Sequence, residues 1–114
     1  MILTALIMGL SVIAGIGIIA IFWNDLVDFI KDTAQKISKA FNRVVYGTKI
    51  FLKKILEGVQ EIVKHYSNVD GHWEEITTTR TISESEVPVE ILNKVQYGQE
   101  VDVTQELELQ MTNG

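Results

Sequence analysis

Apolar and polar positions follow three regimes along the chain. From Ile2 to Trp23 runs a stretch of 22 residues without a charge, rich in Ile, Leu, Val and Phe. From Leu26 to Tyr66 an apolar row can be walked: Leu26, Ile30, Thr33, Ile37, Phe41, Val44, Thr48, Leu52, Ile55, Val59, Ile62, Tyr66. It spans 40 residues in 11 steps, about 3.6 per step, which is the period of an α-helix. After Ser67 the pattern breaks into short alternating pieces bounded by Gly, Asn, Asp and Pro.

The first regime predicts a transmembrane helix over residues 1–23. As a helix, Ile2–Trp23 would be about 33 Å long, close to the roughly 30 Å hydrocarbon core of a bilayer. Phe22 and Trp23 stand where aromatic rings suit a membrane interface. Residues 1–24 hold no Lys or Arg, and Ala20-Ile21-Phe22-Trp23 is a poor cleavage site, so a cleaved signal is disfavoured. Lys31, Lys36, Lys39 and Arg43 follow the span, which predicts a short N-terminus outside and the rest in the cytoplasm. Lys31, Lys36 and Lys39 would sit at the membrane interface with Phe22 and Trp23. Gly15-Ile16-Gly17-Ile18-Ile19-Ala20 fits the dinucleotide pattern G-x-G-x-x-A. That pattern requires a flanking strand, and a second strand bearing an acid, which this sequence does not offer. Ala5 and Gly9, and Ser11 and Gly15, are instead spaced four apart, as in close helix–helix contacts within membranes.

The second regime, residues 24–66, predicts a long amphipathic helix, or two helices broken near Gly47. Its stripe, through Ile30, Ile37, Phe41, Val44, Leu52, Ile55, Val59 and Ile62, is too wide for a two-stranded seam. Three destinations compete for it: copies of the same chain, the membrane surface, and the C-terminal region.

The third regime, residues 67–114, predicts strand, short helix and strand. Ser67–Gly71 is a turn; His72–Ile82 is rich in Thr and β-branched residues. Ser83 or Ser85 caps a short helix containing Val87, Ile91, Leu92 and Val95. In "VDVTQELELQM" the residues Val101, Val103, Leu107 and Leu109 fall on one face of an alternating strand. So small a unit, with open edges, would be completed by neighbouring subunits.

Charge sharpens the division. Residues 24–66 carry eight Lys/Arg against five Asp/Glu, and residues 67–114 two against ten. The basic part is interleaved with apolar residues and poor in Arg, which argues against nucleic acid. The chain has no Cys, so disulfides and thiolate metal sites are excluded. His65, Asp70 and His72 match no metal-ligand spacing, and no Ca²⁺ loop, P-loop or catalytic constellation is present. No cofactor is expected.

The expectation is therefore a mainly α, non-enzymatic, single-pass membrane protein that self-associates into an anchored assembly or scaffold. Its partners would be the lipid bilayer and copies of itself, with another protein at the acidic C-terminal region as a further candidate. The alternatives are a membrane-permeabilising pore or holin-like defence effector, and a tethered adaptor that recruits a partner through its acidic tail.

Overall fold

The computed structural model describes residues 18–113, and it is an α+β fold rather than a long helix with a tail. Helix α1 spans Ile18–Ala40. An antiparallel meander follows: β1 (Gly47–Ile55), β2 (Gly58–Val69) and β3 (His72–Ile82). A 3₁₀ turn (Glu84–Glu86) and the single-turn helix α2 (Val89–Leu92) lead to β4 (Val101–Asp102) and to α3 (Thr104–Asn113). The four-stranded sheet has the order β3-β2-β1-β4.

Helix α1 buries one face at helical spacing: Trp23, Leu26, Val27, Ile30, Ala34 and Ile37. The helix closes where Phe41 N–H bonds Ile37 O, and Asn42, at φ +52°, turns the chain away. Beyond that point alternation takes over. Thr48, Ile50 and Leu52 of β1 are buried, as are Val59, Glu61, Val63, His65 and Ser67 of β2. Cross-strand pairs such as Ile50–Val63 and Thr48–His65 place these residues on one face of the sheet, against α1. That face, α1, Val87, Ile91 and Val95, and Val103 and Leu107 share a single core.

Several expectations are corrected. Among the described residues no helix is long and apolar enough to cross a membrane. Residues 1–17 of the expected span, including Ala5, Gly9, Ser11 and Gly15, lie outside the described part. Residues 18–23 belong to a helix that carries Asp25, Asp28, Lys31, Asp32, Lys36 and Lys39. Phe22 and Trp23 are not interface anchors: they are 2% and 1% exposed, in the core beneath that helix. The membrane, single-pass and pore descriptions fall with the span. So does the outside-to-cytoplasm orientation, and with it the interfacial role of Lys31, Lys36 and Lys39.

The 24–66 helix is corrected as well. Ile30 and Ile37 are buried on α1, whereas Phe41 and Val44 are exposed in the connector. Leu52 and Ile55 lie on β1, and Val59 and Ile62 on β2, so the stripe is no continuous surface. Its period has a physical origin. Apolar residues occupy both faces of the β1–β2 hairpin, since Phe51 pairs with Ile62 on the face away from α1. A walk of 3.6 can therefore step from one face to the other and meet an apolar residue each time. On that outer face Lys64 lies 4.6 Å above the Phe51 ring and pairs with Glu100 at 3.0 Å.

The C-terminal strand is corrected to a helix. Asp102 Oδ1 accepts from Thr104 N–H at 2.9 Å, and Leu107 N–H bonds Val103 O at 3.1 Å, which opens α3. Val103 and Leu107, four apart, are both buried; Leu109, on the opposite side of the helix, is exposed, and Val101 is half-buried on β4. The unit formed by residues 67–114 does not wait for other subunits either, because its β3 pairs with β2 of the same chain.

Candidate functional site: the β3 edge and the pair behind it

The β2–β3 hairpin closes through a two-residue turn, with Val69 opposite His72. Asp70 (φ +53°) and Gly71 (φ +84°) both take the left-handed conformation that a type I′ turn requires. Residues flanking such a turn exchange backbone hydrogen bonds, and along an antiparallel ladder the bonded pairs alternate. The even residues from His72 to Ile82 therefore bond to β2. Trp73, Glu75, Thr77, Thr79 and Thr81 direct their N–H and C=O groups outward. The same rule applied to the Ile55–Gly58 turn sends the even residues of β1 outward. There Ile50 meets Val103 and Thr104, and Lys54 meets Gln96 and Gly98.

The two edges of the sheet thus differ. The β1 edge is covered by the segment from Gln96 to Thr104. Beyond β3 no strand lies among the described residues. This edge is 11 residues long and has no Lys, Pro or bulge; the charges it carries are Glu74, Glu75 and the inward-facing Arg80. It carries three consecutive Thr residues and Trp73, which is 60% exposed and meets Tyr46 edge-to-face at 5.9 Å.

Behind the edge lies a buried ion pair. Arg80 stands opposite Glu61 in the β2–β3 register, and its Nε donates to Glu61 Oε1 at 2.5 Å. Arg80 Nη2 also donates to Asp25 O on α1 at 3.2 Å, and its guanidinium lies 4.5 Å from the Phe29 ring centroid. Glu61 is fully buried, and its Oε2 has no hydrogen-bond partner. Burial pushes its carboxyl above the usual range, against the opposing pull of Arg80.

A second buried polar group pins α1 to the sheet. Thr33 Oγ1 spends its one proton on Ile30 O at 3.0 Å, so it accepts from His65 Nε2–H at 2.7 Å. Nδ1 is then the acceptor for the Thr48 hydroxyl at 2.8 Å. Burial lowers the His65 pKa to about 4, and the ring is neutral. His65, Asp70 and His72 are not brought together: His65 is in the core, while Asp70 and His72 lie at the exposed hairpin tip.

Of the residues singled out from sequence, Ile30, Ile37, Leu52, Val59, Val103 and Leu107 serve the core. Lys36 and Lys39 are exposed on α1, where Lys36 pairs with Asp32 at 3.1 Å, and Lys31 is half-buried. Glu61 and Arg80 were not anticipated. Their signal was present: with a period of two, Glu61 falls between Val59 and Val63, and a charge in an apolar row calls for a cation opposite. Arg80 is the single cation in His72–Ile82.

No family model matches the chain, and neither does any curated protein or solved structure.

Proposed function

We propose that this protein acts through self-association, as a non-enzymatic module in which β3 pairs antiparallel with β3 of a second copy. The observation that carries this reading is the 11-residue β3 edge, beside which no further strand lies among the described residues. A two-fold axis at Thr77 uses all of it. Thr77 then faces its own copy, Glu75 faces Thr79, and Trp73 faces Thr81, so every bonded pair joins two residues whose backbone groups point outward. On the α1 side this register sets Arg80 opposite Glu74 of the second copy, whose Oε1 already pairs with its own Arg43, and Ile76 opposite Thr78. Arg80 uses Nε and Nη2 within its own chain, and the contacts described above leave out Nη1. Moving the axis two residues back would place Glu75 against itself, a like-charge pair that disfavours that register.

The product is one eight-stranded sheet with β4 at both ends. Since residues 96–104 cover the outer edge of β1, pairing stops at two copies, and the assembly closes as a dimer instead of growing into a filament.

The chain has no Cys, so single substitutions place one thiol per chain. Under mild oxidation Thr77→Cys should yield a covalent dimer, because residue 77 alone faces its own copy. Thr81→Cys, about 27 Å from its copy in this register, should not. Equal cross-linking at both positions, or none at either, contradicts the reading.

A further inference from the structure

A cavity of about 370 Å³ opens beside Glu61, between the start of α1 and the end of β3. Its volume is at the low end of small-molecule sites, roughly 300–1,000 Å³. Its lining includes apolar Ile21, Phe22 and Ile82, the carboxyl groups of Asp25, Glu61 and Glu86, and Arg80. The carboxylates outnumber the cation, so the local field favours a positive guest over a negative one.

Glu61 makes this more than an acidic cluster. Glu61 lines the cavity, and while Arg80 holds its Oε1, its Oε2 is left over. That atom is buried and lacks a hydrogen-bond partner, a state that costs free energy until a donor arrives. Asp25 and Glu86 both push the Glu61 carboxyl toward its neutral form, and a bound cation would relieve that repulsion. No group of three His, Cys, Asp or Glu among the described residues is placed to hold a metal ion, so an organic donor fits better.

We infer that this cavity binds a small aliphatic amine. The ammonium group donates to Glu61 Oε2 in the field of Asp25 and Glu86, and the alkyl chain lies against Ile21, Phe22 and Ile82. An ammonium offers three donors, and a hydrogen bond to a buried carboxylate is of the strong, charge-assisted kind. The apolar wall selects for an alkyl tail over a bare ammonium ion.

The test is an amide NMR titration of the full chain at pH 8 with n-hexylamine, hexan-1-ol and hexanoate. Hexylamine should produce saturable shifts at Phe22, Glu61 and Ile82. Hexanol should bind at least tenfold more weakly, and hexanoate should leave these amides unmoved. Glu61→Gln should weaken hexylamine at least tenfold. Since that change also touches Arg80, Asp25→Asn serves as a second variant on the cavity rim, with an expected loss of two- to threefold. Equal affinity for hexanol and hexylamine overturns the inference. So does the absence of saturation, or a Glu61→Gln chain that is folded by its NMR spectrum and binds as the parent does.

Discussion

Arg80 and Glu61 face each other across the β2–β3 pair and are joined at 2.5 Å, with the carboxylate fully buried and the Arg80 side chain 36% exposed. The pair ties three parts of the molecule together: the central strand, the edge strand and, through Asp25 O, the helix. Removing only the cation leaves a buried charge uncompensated. Arg80→Met should therefore destabilise the fold by about 2–3 kcal/mol, below the range for a fully buried pair because Arg80 is partly solvated. Adding Glu61→Leu should recover most of that loss. Urea denaturation of the three chains measures both; a single variant within about 0.5 kcal/mol of the parent would show that the pair contributes little.

His65 gives the fold a dependence on pH. Its pKa is about 4 in the fold, against 6.5 for the free side chain. Because the folded value is depressed, the unfolded chain binds the proton more tightly. The stability in question is fully present above pH 6.5 and is lost as pH falls toward 4, by about 3 kcal/mol in all. Glu61 works in the opposite sense: its raised pKa favours the fold at low pH, and that contribution disappears as pH rises past 4.5 through the folded value. The share of His65 is read by difference. His65→Gln should be less stable than the parent at pH 7, and the gap should narrow steadily between pH 6.5 and 4. A constant gap would contradict the assignment.

Gly58 opens β2 at φ +147°, and a Cβ placed there would lie 2.2 Å from Ile82 O, a backbone atom that cannot move aside cheaply. Gly58→Ala should cost about 2–4 kcal/mol. Gly71, at φ +84° with nothing within 4 Å, meets only the backbone penalty, about 1 kcal/mol for Gly71→Ala. The order of the two denaturation midpoints checks the hairpin geometry at both ends of the β2–β3 pair.

Of the β2–β3 hairpin, the turn and β3 were legible in the sequence, whereas β2 fell within the expected 24–66 helix. Asn68, Asp70 and Gly71 announce the turn, and the β-branched run from His72 to Ile82 matches the strand end for end. The Ser83 cap was legible too, since Glu86 completes a capping box with it. What was hidden was the rest of the sheet. Phe51 and Ile62 make the hairpin apolar on both faces, and this imitates the breadth of a helical stripe. Leu107 and Leu109 alternate as a strand would, but Val103 and Leu107 also meet the helical i, i+4 rule. The Asp102 bond to Thr104 decides for the helix. Trp23 looked like an interface residue because nothing local reveals that a sheet will cover it. Glu61 and Arg80, 19 residues apart, become a pair only once the register is known.

The C-terminal helix separates the two periods cleanly. Leu107 is buried and Leu109 is 53% exposed, whereas a strand would treat them alike. Leu107→Ala should cost about 3 kcal/mol and Leu109→Ala less than about 0.5. Equal costs in thermal or urea unfolding would restore the strand.

The central claim is that the outward edge of β3 joins two copies, and sedimentation velocity on the full chain and on Thr77→Pro tests it most directly. Thr77 directs its N–H away from β2, so proline there removes no backbone hydrogen bond within the chain, only the exposed hydroxyl bond to Glu75 Oε2, and deletes one at the centre of the proposed interface. The parent should sediment as a dimer that dissociates on dilution, and Thr77→Pro as a folded monomer at every concentration. A parent that is monomeric throughout, or a Thr77→Pro chain that dimerises as the parent does, contradicts the account.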